Sequence, residues 1–448
     1  MSFPRHAKYM DSGVDWLGQI PSHWAVKRLR FVAELNPSKS EVSHLAAYTE
    51  VSFLPMEAIG EGGSLELDRV RPLADVQTGY TFFRDGDVTI AKITPCFENG
   101  KGAAMRGLCN GIGFGTTELI VIRPKATQTT STYLHWLFTS RPFRKAGEAC
   151  MYGAGGQKRV PDDFVRDFAI GFPPLPEQRH IVTFLDREAA KIDALVEEQR
   201  RLIELLKEKR QAVISRAVTE GLNPNVPTKN SGVEWLGKVP AHWVVKSIKW
   251  LSPVLRGASP RPIDDQKYFD DGGEYAWVRI ADSSASDGVL HETTQRLSAL
   301  GSSLSVKLEP GSLFVSIAGT VGKPCIAGIK CCIHDGFVYF PRLSIDPMFL
   351  FRLFEHGACY AGLGKIGTQL NLNTDTIGSI RIGLPPPDEL DAILRFIDCE
   401  TGRFDQLIAE ADSAMQLLKE RRSALVSAAV TGKIDVRGLV TQTEAVAT

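Results

Sequence analysis

The stretch Asp11-Ser-Gly-Val-Asp-Trp16-Leu-Gly-Gln-Ile-Pro21-Ser-His23-Trp24-Ala-Val-Lys27 returns 219 residues later as Asn230-Ser-Gly-Val-Glu-Trp235-Leu-Gly-Lys-Val-Pro240-Ala-His242-Trp243-Val-Val-Lys246. A second pair follows, Gly171-Phe-Pro173-Pro174 and Gly383-Leu-Pro385-Pro386, 212 residues apart. Each proline pair opens a helical run, because proline suits a helix start and not its interior. The order is globular, helical, globular, helical: a tandem duplication. A pseudo-symmetric protein suits a pseudo-symmetric partner, and among long polymers duplex DNA is the commonest.

The helical runs carry apolar residues in alternating steps of four and three. Ile181, Leu185, Ile192, Leu195, Leu202 and Leu206 form one seam, with polar breaks at Glu188, Gln199 and Lys209. Ile393, Ile397, Phe404, Leu407, Leu418 and Leu425 form the other, with breaks at Glu400 and Arg421. This is a heptad pattern. Each run reads as one helix of about 35–40 residues, on the order of 55 Å long. A single apolar stripe does not stabilise such a helix alone, so each copy is the expected partner of the other. Gly221 and Gly432 stand where helix C-caps belong.

The globular segments mix short β runs with helices. Residues 87–92, 119–122 and 312–317 read as strands, and 133–138 and 348–354 as helices. Outside the opening motif the two copies have diverged. The expected layout is a globular domain over 1–172, a long helix over 173–222, a second globular domain over 223–384, a second helix over 385–440, and a frayed tail over 441–448.

With 448 residues, 43% hydrophobic and 23% charged, the chain has the composition of a multi-domain globular protein. No stretch approaches the roughly 18 apolar residues of a membrane helix. The start, Met1-Ser-Phe-Pro-Arg-His6, lacks a secretory apolar core, so a cytoplasmic location is expected. The eight cysteines form no C-x-x-C pair, so reduced thiols are expected and no metal site. Zero net charge argues against indiscriminate coating of nucleic acid while leaving specific binding open.

The catalytic motifs tested are missing. Asn36-Pro37-Ser38 falls short of an adenine-methyltransferase Asn-Pro-Pro-aromatic motif. Gly319-Thr-Val-Gly322-Lys323-Pro324 has the wrong spacing for a P-loop. Gly153-Ala-Gly155-Gly156 lacks the strand–helix setting of a dinucleotide site.

These motifs, in duplicate and in order, resemble the specificity subunit of type I restriction–modification enzymes over nearly the whole chain. The marks are the two Trp-Leu-Gly-x-Ile/Val-Pro-x-His-Trp motifs, Phe172-Pro-Pro-Leu-Pro-Glu-Gln178 with Leu384-Pro-Pro-Pro-Asp-Glu389, the run Gly86 to Lys101, and Gly367-Thr-Gln369-Leu-Asn371-Leu-Asn373. The resemblance implies an α+β, mixed fold. Two pseudo-twofold-related α/β target-recognition domains would be separated by two long antiparallel helices forming a coiled coil. Each domain would read half of a bipartite site in double-stranded DNA. The helices would set the spacer and dock two methyltransferase subunits, and two motor-nuclease subunits would complete the complex. This subunit would be non-catalytic and bind no cofactor. S-adenosylmethionine, ATP and Mg would sit on the partners.

DNA-contact candidates are the polar residues of Gly/Pro-rich turns. In the first copy these are Lys92, Thr94, Asn99 and Lys101, with Gln157, Lys158 and Arg159. In the second they are Thr320, Lys323, His334 and Asp335, with Gln369, Asn371 and Asn373. Such side chains suit base edges and phosphates. The bland alternative for each is plain surface. The repeated His23-Trp24 and His242-Trp243 read instead as packing plugs with buried indoles. The rival functions are a stand-alone DNA-binding protein, separable by copurification, and a protein-only coiled-coil scaffold, which would bind no DNA.

Overall fold

The computed structural model describes residues 3–154, 156–361, 363 and 372–440, and the backbone of 365–366 and 369–370. The tail 441–448 lies outside the described residues. The chain divides into two compact units, one of residues up to Arg200 together with those from Asp412 onward, the other Arg201–Ala411. Both divisions fall inside the long helices. These run over Leu175–Glu220, 46 residues, and Pro387–Val430, 44 residues. They exceed the expected length because the helix continues past the last heptad position at both ends.

Each unit contains the same two sheets. In the first, Val70–Pro72, Glu50–Leu54, Ile112–Gly115 and Thr81–Arg84 lie side by side in that order, and Ala33–Leu35, Leu119–Pro124, Val88–Ala91 and Gly102–Ala104 make the other sheet. In the second, Gln295–Leu297, Tyr275–Val278, Cys331–Ile333 and Val306–Leu308 repeat the first order. Leu255–Arg256, Phe337–Tyr339, Leu313–Ser316 and Pro324–Ala327 repeat the second, with Val289–Leu290 added at an edge. Even the lone parallel pair of the first unit recurs: Ser52 beside Gly113 in one, Trp277 beside Cys332 in the other. The duplication thus extends through interiors whose sequences no longer match.

The physical reason the strands read as apolar runs is that both faces are covered. Val88, Ile90, Ile120 and Ile122 face one way, into a core shared with the helix Ser131–Thr139 and the start of the first long helix. Ala91, Leu119 and Val121 face the other way and meet Leu54 and Phe83 of the neighbouring sheet. This is the period of two that a strand imposes. The layering is sheet, sheet, helix. The strands and helices expected at 87–92, 119–122, 312–317, 133–138 and 348–354 all form.

The long helices are antiparallel. Arg422 donates to both oxygens of Asp193 at 2.9 and 3.2 Å within the first unit, and Arg210 donates to Asp405 at 3.0 Å within the second. The expected seam is correct at Ile181, Leu185, Ile192, Ile393, Ile397, Phe404 and Leu425, which are buried, and Leu206 and Leu418 are half-buried. It is wrong at Leu195, Leu202 and Leu407, which are 45%, 43% and 46% exposed. Ala189, Val196 and Ile203 are buried instead, matched 212 residues on by buried Thr401 and half-buried Ile408 and Met415. Ile192 and Leu206 keep their places, while positions 188, 195 and 202 step on by one to Ala189, Val196 and Ile203. An α-helix has 3.6 residues per turn, and a strict seven-residue repeat drifts about 20° per heptad off a straight seam. Glu188, assigned to the seam by heptad counting, pairs with Arg187 and Lys191.

Candidate nucleic-acid interface

The repeated opening motif is a junction. Trp24 is buried, and its indole Nε1 donates to Glu177 Oε1 at 3.1 Å. His23 Nε2 meets Glu177 Oε2 at 2.7 Å. In the second unit Trp243 Nε1 donates to Glu389 Oε1 at 3.1 Å, and His242 Nε2 meets Glu389 Oε2 at 2.6 Å. Each glutamate lies in the first turn of a long helix. The other helix ends beside the same tryptophan. Gly432, at φ +70°, packs on Pro21 and Trp24, and Gly221, at φ +75°, packs on Trp243 and Glu389. Both glycines hold the left-handed turn that ends a helix, where a side chain would be strained; at Gly432 it would also collide with Pro21, and at Gly221 it would crowd Glu389 and Trp243. The plug reading of the His-Trp pairs is therefore right and incomplete, because the sequence did not show that glutamate is their partner. The two junctions differ one residue further on. Buried Gln178 accepts from Thr129 and donates to the Gln128 and Pro173 carbonyls, whereas its counterpart Leu390 sits in the apolar core.

Six of the candidate contact residues fall in one topological place. Lys92, Thr94, Asn99 and Lys101 lie on the crossing from Val88–Ala91 to Gly102–Ala104. Thr320 and Lys323 lie on the matching crossing from Leu313–Ser316 to Pro324–Ala327. Their side chains are differently occupied. Lys101 Nζ donates to the Met56 carbonyl at 3.2 Å. Lys323 Nζ donates to the Ser284 and Ser286 carbonyls at 2.7 and 2.9 Å. The two lysines thus pin the same crossing to the segment after the equivalent strand. Thr94 donates to Glu98 at 2.8 Å, and the Thr320 hydroxyl meets that of Ser284 at 2.9 Å. Lys92 is half-buried beside Glu118, and Asn99 is exposed.

Tyr152 and Arg159 pair as a hairpin, and Arg159 also bridges to Ile93. Thr94 N donates to the Lys158 carbonyl and Val160 N to the Lys92 carbonyl, so hairpin and crossing form one surface. Arg159 is held by Glu118 through bonds of 2.7 and 2.9 Å, which also keep the Glu118 carboxyl below its usual range. Gln157 and Lys158 at the tip are exposed and carry no side-chain hydrogen bond among the described residues. In the second unit Lys365–Ile366 pairs with Gln369–Leu370 at the matching place. Asn371 and the Gln369 side chain lie outside the described residues. Asn373 caps the helix Thr374–Ser379, its side chain accepting from Thr376 N at 2.8 Å, so a structural task accounts for it.

The candidates His334 and Asp335 lie apart from the crossing and the hairpin, beside polar groups that had no sequence signal. A hollow of about 590 Å³ in the second unit is lined by Gln266, Trp277, Arg279, Gln295 and His334. Arg279 donates to Gln295, Asp335 accepts from Arg261 at 2.9 Å, and burial pushes the His334 imidazole below its usual range. These residues come from four segments between positions 266 and 334, so no spacing could group them. The cysteines are all free, and burial pushes the Cys331 and Cys332 thiols up to about 12, where they are unreactive.

A duplicated two-sheet domain locked to an antiparallel helix pair is the class of protein that the fold and these junctions define. The resemblance read from the sequence is borne out. Residues 21–205 match the type I restriction modification DNA specificity domain. The chain is similar to the type I restriction enzyme EcoAI specificity subunit of Escherichia coli, at 47% identity over 166 residues. That stretch is 37% of this chain and 28% of that one, so the match spans little more than a quarter of the relative. It is similar to the EcoEI specificity subunit of Escherichia coli at 28% identity, covering 92% of this chain and 83% of that one. Among solved structures, the fold is like that of a chain from a type I R-M system described for its complex assembly and conformational transition. The TM-score is 0.70 at 20% identity, covering 92% and 98% of the two chains. It is also like the HsdS subunit from Thermoanaerobacter tengcongensis, with TM-score 0.57, 20% identity and the same coverage. No helix among the described residues is long and apolar enough to cross a membrane.

Proposed function

We propose that this chain is the DNA-specificity subunit of a type I restriction–modification complex. The observation that carries the reading is the repetition of the two-sheet topology on one helix frame, with the surface crossings and hairpins free to differ. Each globular domain reads one half of a bipartite site, and the helices set the spacer between halves. The exposed leucines support docking on the helices. Leu195 and Leu205 recur 212 residues on as Leu407 and Leu417, all between 45% and 66% exposed. Apolar side chains repeated on a water-facing stripe suit a protein partner, here one methyltransferase subunit per half. Two motor-nuclease subunits complete the assembly in the cytoplasm. The chemistry, with S-adenosylmethionine, ATP and Mg, resides on those partners, and this chain positions it.

Single-molecule methylation sequencing of the host genome with and without this gene tests the proposal. Loss of adenine methylation at one bipartite motif is the expected result. Unchanged methylation, in a host whose partner subunits are expressed, overturns it.

A further inference from the structure

The junction of the first unit contains a group that its copy lacks. In both units an indole and an imidazole converge on the glutamate that opens a long helix. Only the first adds a second imidazole, that of His6. Its side chain is 2% exposed, and its Nε2 lies 3.9 Å from Glu177 Oε1 and 3.2 Å from the Ile434 carbonyl. On the other side of the ring, Nδ1 faces Asp435 Oδ2 at 3.6 Å and Arg437 at 3.5 Å. One donor atom each from His6, His23 and Glu177 lies within 4.8 Å of the others, the one such trio of His, Cys, Asp or Glu donors among the described residues.

We propose that His6, His23 and Glu177 form a structural site for a divalent transition-metal cation of the zinc class. Two imidazole nitrogens and a carboxylate are zinc's preferred donors outside thiolates. Bonds of about 2.0–2.2 Å in a tetrahedron put donors about 3.3 Å apart. His23 Nε2 lies 2.7 Å from Glu177 Oε2 and His6 Nε2 3.9 Å from Glu177 Oε1, so the two imidazoles meet the carboxylate through different oxygens. All three donors lie within 4.8 Å of one another, so side-chain movements on the order of an ångström bring them to the tetrahedral spacing. His23 is 37% exposed, so water has access to the fourth position. Asp435 behind His6 supplies the carboxylate–histidine–metal arrangement that orients a ligating imidazole. On binding, the proton that an Nε2 shares with Glu177 or the Ile434 carbonyl leaves to solvent, and no redox change is involved. The ion ties together the N-terminal segment, the Pro-x-His-Trp motif and the start of the first long helix, with 434–437 as its backing. The second junction, with His242 and Glu389 alone, is an internal control.

The test is calorimetric titration of the full-length chain, stripped with chelator, with zinc chloride alone. One tight equivalent is expected, accompanied by a rise in Tm. His6→Gln and His23→Gln should each abolish that equivalent, and Asp435→Asn should weaken it about 10–100-fold. His242→Gln should leave it intact. Cobalt(II) bound to the same site should give the intense visible bands of a tetrahedral ion. His23 is exposed, so His23→Gln decides the matter even if His6→Gln does not fold. Absence of a tight equivalent overturns the proposal. So does an equivalent that survives His23→Gln, as it would if exposed Cys150 or Cys399 were the ligand.

Discussion

Lys158 and Arg159 are adjacent cations with different fates. Arg159 is occupied by Glu118, whereas Lys158 stands exposed at a hairpin tip. A free cation near DNA contacts a phosphate without reading sequence. Lys158→Ala should therefore weaken binding of the assembled complex uniformly across sites. It should also reduce the slope of log K against log salt by about 0.9, measured by anisotropy over a salt series. An unchanged slope would remove Lys158 from the interface. His135 makes a prediction about pH. Burial beneath the loop at Gly63, helped by Arg422 and Arg106, pushes its pKa from 6.5 down to about 4. Between those values the unfolded chain holds the proton and the folded chain does not. Its contribution is thus complete above about pH 6.5 and is lost as pH falls towards 4, by at most about 1.4 kcal/mol per pH unit. Tm should drop between pH 7 and 5, and His135→Gln should flatten that drop. Equal slopes in the two proteins would show that other groups carry the acid sensitivity.

Among the elements, the long helices separate two jobs by one residue. Val196 is buried, and Leu195 beside it faces water. An aspartate at Val196 would bring an unpaired charge into the apolar seam, so Val196→Asp should destabilise the chain by several kcal/mol. Leu195→Asp should leave Tm within the small range of ordinary surface changes. Together with Leu407→Asp it should also abolish copurification with methyltransferase subunits. Retained copurification in a folded double variant would move the docking surface elsewhere. The heptad count chose Leu195 because leucine is the usual seam residue. What decides is the angle accumulated along a 46-residue helix, which the tertiary partner selects.

For the whole molecule, the duplication predicts modularity. Replacing residues 1–172 with another recognition domain should change one half-site and leave the other. The incoming domain must bring its own His-Trp pair, because Glu177 stays with the helix. A change in both half-sites would refute one domain for one half. Inserting four residues near position 200, with a matching four near 411, lengthens each helix by about 6 Å. It also keeps Asp193–Arg422 and Arg210–Asp405 in their antiparallel register. The spacer in the methylated motif should lengthen. An unchanged spacer would mean that the helices are not the ruler.

From the sequence alone came the duplication, the two long helices, their glycine ends, three of the sheet strands and the family resemblance. All of these rest on local periodicity, spacing or exact repetition. Only the tertiary structure decided what distant residues do together. The partnership of Trp24 and His23 with Glu177 spans 153 and 154 residues. The matching sheets are built from strands that share no sequence, because many apolar sets fill the same layer once both its faces are buried. The gathering of His6, His23 and Glu177 follows no spacing rule. The expectation of no metal site was read from the cysteines, and that reading could not see a cluster assembled where the chain's beginning, a repeated motif and a helix start meet.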